Sequence, residues 1–132
     1  EATTPFDRRS FAEELRDCQR YFWKSFLYST APAQNTGETG SAISWRAIVA
    51  GAVATAIPVN IFLPVEMRTT PTITLYNPSA ANAQVRNVTD GADCSASSGG
   101  ATSKFLSVSY TGTAGTAVNE VMAVHATLDA EL

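Results

Sequence analysis

The chain has 132 residues, 45% of them apolar and 16% charged, with a net charge of −3. That length holds one domain with its own core, and the charged share falls well short of the usual quarter. Nucleic-acid binding needs a one-signed basic stripe and is disfavoured. The basic side chains Arg8, Arg9, Arg16, Arg20 and Lys24 are matched by five acids within the first 24 residues, and the rest of the chain has no basic cluster.

Residues 1–9 read as an extended linker, because Pro5 turns Thr4 away from helix. Ser10-Phe11-Ala12-Glu13 has the form of a capping box. Phe11, Leu15 and Cys18 then recur at i, i+4 and i+7, a stripe continued by Phe22. Acids early in this segment and Arg16 and Arg20 late in it suit the helix dipole. The spacing therefore predicts two or three turns of amphipathic helix ending near Tyr21. The aromatic run 21–28 suits a half-buried strand, with Tyr21, Trp23, Ser25 and Leu27 on one face. Residues 29–41 carry Pro32, Asn35, Gly37 and Gly40 and read as a loop.

Further strands are predicted at about 42–50, 54–63, 70–77, 83–88, 103–111 and 117–130, punctuated by Gly, Pro and Asn-Pro turns. The small polar stretch 89–102 reads as a long loop. Residues 10–132 are thus expected to form one mainly β domain. Its predicted architecture is an antiparallel, jelly-roll-like sandwich of about seven strands with one N-terminal helix. The uncharged run Ala47 to Val65 is no membrane span, since Pro58 and Pro64 would break a helix there. The opening Glu-Ala-Thr-Thr-Pro has no initiating Met and reads as a start inside a longer polypeptide, of which this is the C-terminal part.

Chemistry-bearing residues are sparse. His125 is the only histidine, and on a strand its same-face neighbours are Ala123 and Thr127 rather than a nucleophile, so it reads as a structural or interface residue. Cys18 and Cys94 fit no metal or CxxC spacing. They read as free thiols, Cys18 a small buried apolar group, with a disulfide as the alternative. Asp90 and Asp93 offer oxygens to calcium without an EF-hand pattern and read as a solvated loop. No metal site, cofactor or catalytic pair is expected. Trp23, Trp45, Tyr76 and Tyr110 are candidate glycan-stacking rings, with core or interface packing as the other reading.

Three segments carry a resemblance. They are Thr4-Pro5-Phe6-Asp7 followed by Phe11-Ala12-Glu13-Glu14-Leu15 and Cys18-Gln19-Arg20-Tyr21-Phe22; then Pro64-Val65-Glu66-Met67-Arg68-Thr69-Thr70-Pro71-Thr72-Ile73-Thr74-Leu75-Tyr76; and the closing Asp129-Ala130-Glu131-Leu132. In this order they resemble a C-terminal module of tailed-bacteriophage tail fibres and related virion proteins. The Arg16-Asp17 pair and Phe22 in place of Tyr depart from that pattern. The resemblance implies a non-enzymatic virion protein, a homotrimer that meets other virion proteins and presents loops to host-surface glycan. The alternative is a purely architectural decoration, collar or trimerisation module. Within that picture Phe11, Leu15, Cys18, Arg20 and Phe22 are expected to seat the helix on the sandwich or on a symmetry mate, Arg20 holding a carboxylate. Neither nucleic acid nor membrane insertion is expected.

Overall fold

The computed structural model describes residues 10–131, the side chains of 54–60 apart; the expected linker at 1–9 lies outside the described residues. The predicted capping box is present. Ser10 is extended (φ −62°, ψ 152°), its hydroxyl accepts the Glu13 N–H at 3.3 Å, and Glu13 Oε2 accepts the Ser10 N–H at 3.1 Å. These bonds satisfy two of the donors a helix start leaves open, and α1 runs Phe11–Gln19.

Eight strands follow: β1 Phe22–Lys24, β2 Ile43–Arg46, β3 Ala54–Phe62, β4 Thr72–Tyr76, β5 Val85–Asn87, β6 Ala92–Ala101, β7 Phe105–Thr111 and β8 Val121–Asp129. All pair antiparallel in one curled, sandwich-like sheet, so the fold is mainly β as expected. β8 is its spine. β1 and β4 take the two edges of its C-terminal half, and β2 and β5 those of its N-terminal half. From β5 the sheet continues through β6 and β7 to β3.

One face of β8 (Met122, Val124, Ala126, Leu128) meets Val85, Cys94, Leu106, Val108 and Tyr110 in the main core. Each wholly buried Leu, Val or Met there contributes about 1.5–3 kcal/mol. The other face is buried as well, at Ala123, His125 and Thr127. Part of the 25–41 segment covers it, through Ser25, Phe26 and Gly37 around His125.

Four expectations need correction. The loop expected at 89–102 is strand β6. Its small polar residues carry little β signal, and pairing with β5 on one side and β7 on the other makes it a strand. Asp90-Gly91 is the hairpin turn that starts it, with Gly91 at φ 69° and its N–H on the Asn87 carbonyl. The aromatic strand stops at Lys24. Its last ladder bond runs from Ser25 N–H to Ala126 O, the Lys24 ammonium donates to the Tyr28 and Thr30 carbonyls, and Ser25 and Phe26 are buried in succession. Residues 47–50 leave the sheet: Ala47 is buried, but Ile48 and Val49 are exposed. β8 begins at 121 because Asn119 turns at φ 73° and Glu120 caps the turn, accepting the Ala117 N–H.

Candidate functional site

The described parts of the segments that carry the sequence resemblance, at 18–22, 64–72 and 129–131, meet in space. Phe22 pairs with Asp129 on one edge of β8, and Thr72 pairs with Asp129 on the other. The Ala130 N–H donates to the Tyr21 carbonyl at 2.7 Å, and the Arg68 N–H donates to the Arg20 carbonyl at 2.9 Å. The Arg68 guanidinium lies 5.3 Å from the Tyr21 ring centroid, a cation–π distance. Met67, beside Arg68, is buried in the core. These contacts tie the end of α1, the approach to β4 and the end of β8 into one knot. They use backbone groups and packing rather than reactive side chains.

Helix α1 sits against this knot without burying itself. None of its residues is buried, Leu15 and Gln19 are half-covered, and Phe11 is 76% exposed. Cys18 is exposed, which corrects the expectation of a buried thiol; it and the buried Cys94 are both free thiols. Arg20 is the exposed C-cap, and among the described residues its guanidinium forms no ion pair, contrary to the expected carboxylate tie. Between α1, β1 and the turn after it lies a recess of about 390 Å³. Its lining includes Leu15, Cys18, Phe22, Trp23, Leu27 and Tyr28. Tyr28 (69% exposed), Leu27 (50%) and Phe22 (39%) stand open at its walls.

Sequence reasoning did not foresee the partner of His125. Ser25, a hundred positions away, has its Oγ 2.9 Å from His125 Nδ1, and the Gly37 carbonyl lies 3.1 Å from Nε2. A carbonyl only accepts, so Nε2 carries the proton, and Nδ1 of the neutral ring accepts from the Ser25 hydroxyl. Ser25 Oγ also accepts the Ala126 N–H at 3.0 Å. Phe26 stacks on the ring at 4.1 Å. Burial lowers the His125 pKa, and the Gly37 and Glu38 backbone together with the Glu38 charge partly oppose this. A serine–histidine contact suggests a nucleophile and its base, but here both ring nitrogens hold other parts of the fold, and among the described residues no carboxylate bonds to the ring. No local sequence signal joins residues 25, 37 and 125.

A second polar cluster was missed as well. Asn77, wholly buried, donates to Asn82 Oδ1 at 2.7 Å and to Asp93 Oδ1 at 2.8 Å; Asn82 and Arg86 also donate to the Asp93 carboxylate, each at 2.8 Å. Burial alone would raise the Asp93 pKa, but the bonds from Arg86, Asn77 and Asn82 outweigh it and hold the carboxyl below its ordinary range. Asp93 is therefore committed to the β5–β6 hairpin rather than standing in a solvated loop. Among the described residues no three His, Cys, Asp or Glu side chains gather as a metal site. No helix there is long and apolar enough to cross a membrane.

The four candidate glycan rings do not form one platform. Tyr110 is buried and tilts against half-buried Trp45 at 5.8 Å, Tyr76 meets Phe26 edge-on at 5.4 Å, and Trp23 lines the recess while packing on the core. No family model, curated protein or solved structure matches the chain.

Proposed function

We propose that the chain is a non-catalytic structural module of a tailed-phage particle, part of a fibre, spike or related virion structure, that works as a homotrimer among other virion proteins. The observation that carries this reading is the knot. The segments Cys18–Phe22, Pro64–Thr72 and Asp129–Glu131, set apart in the sequence, bond to one another around the end of β8. A motif spent on holding three chain segments together is a motif for architecture. The closed hydrogen bonding of His125 supports the non-catalytic part of the reading.

An architectural role, as collar, decoration or trimerisation module, is better supported than receptor binding. Residues 92–101 are strand, and most candidate rings are engaged in packing. Receptor binding remains as a second reading because Trp23 and Tyr28 line an open recess. Light scattering of the purified chain tests assembly. A trimeric mass is expected, and a monomer at the highest soluble concentration refutes the proposal. Glycan-array binding that is lost in Tyr28→Ala would promote the second reading over the first.

A further inference from the structure

Resting on that reading of an assembling module, we propose that copies of this chain meet one another across the face made by α1, β1 and the 25–28 turn.

A nine-residue helix is too short to be stable from propensity alone and depends on packing of its apolar face. Here that face is mostly uncovered: Phe11 is 76% exposed and Cys18 is exposed. The patch continues across the recess to Phe22, Leu27 and Tyr28. Taking about 200 Å² for each fully exposed large side chain, the open fractions of Phe11, Phe22, Leu27 and Tyr28 leave roughly 450 Å² of apolar surface. A standard interface draws about 800 Å² from each partner, a little over half of it apolar. The patch thus supplies the apolar share of one such interface.

The pattern selects a second copy over other occupants. Phe11, Leu15 and Cys18 share one stripe of the helix, and the same stripe on a second copy offers it an apolar surface of equal length. Glu13, Arg16 and Asp17 lie off that stripe and only Glu14 borders it, so identical stripes meet with little like-charge repulsion. A partner recognised by one sign of charge would find both signs here.

Phe11→Asp tests the assignment. Phe11 is mostly exposed, and Asp in the first turn favours the helix dipole, so the variant should keep its fold and its circular dichroism. Its mass is expected to fall from that of the assembly to the 14.0 kDa monomer. A short bismaleimide should link unaltered chains through Cys18, because Cys94 is buried, and the link should be lost in the variant. If Phe11→Asp stays assembled, or if the assembled unaltered chain gives no Cys18 crosslink, this face is not the interface, while the virion-module reading stands. A monomeric unaltered chain overturns both.

Discussion

Replacing His125 by Phe keeps a flat ring against Phe26 and removes two hydrogen bonds, one to Ser25 and one to the Gly37 carbonyl. Gly37 is exposed, so its carbonyl can turn to water and the loss there is about 1 kcal/mol. Ser25 is 8% exposed, and its hydroxyl proton is left without an acceptor, at a further cost of roughly 1–2 kcal/mol. His125→Phe should therefore lower the unfolding free energy by about 2–3 kcal/mol, a large part of the 5–15 kcal/mol typical of a domain.

The pH dependence gives an independent check, because this is the only histidine. Its folded pKa lies below the ordinary 6.5, so the unfolded chain binds the proton more readily. The stabilisation is complete above 6.5 and is lost as pH falls from there through the folded value. Urea denaturation at a series of pH values between about 7.5 and 5 should show the unaltered chain losing stability on acidification, while His125→Phe stays nearly flat. A variant within about 0.5 kcal/mol of the unaltered chain, the range of an ordinary surface change, would refute the reasoning. So would an equally flat profile for the unaltered chain.

Two further outcomes are expected. Asp93→Asn weakens the charge-assisted bond from Arg86; the pair's side chains are 22% and 24% exposed, so solvent screening leaves a loss of about 1–2 kcal/mol, measurable by urea denaturation. Because the folded Asp93 pKa is depressed, its contribution is present above the ordinary value of 3.8 and is lost as pH falls below it through the folded value. A Cβ added at Gly99 would overlap the Ile73 side chain, so Gly99→Ala should cost about 1–3 kcal/mol. Ile73→Val removes the overlapping Cδ1, and the double variant should lose less than the two single losses together, a coupling that a double-mutant cycle reads directly.

What could be read from the sequence was what neighbouring residues settle among themselves. Ser10 and Glu13 lie three residues apart and cap the helix wherever it sits. The mostly apolar run along 121–129 and the Gly and Pro turns between runs place most strands, although both faces of that run are buried rather than one. Tertiary structure decided the rest. Segment 92–101 is a strand because β5 and β7 offer it backbone partners, which its own small polar residues do not announce. Ser25 and His125 meet only because β1 and β8 pair, bringing together positions a hundred residues apart. The helical stripe was plain in the spacing of Phe11, Leu15 and Cys18, yet periodicity specifies which side chains share a face and not what that face meets. Only the folded chain leaves that face largely open.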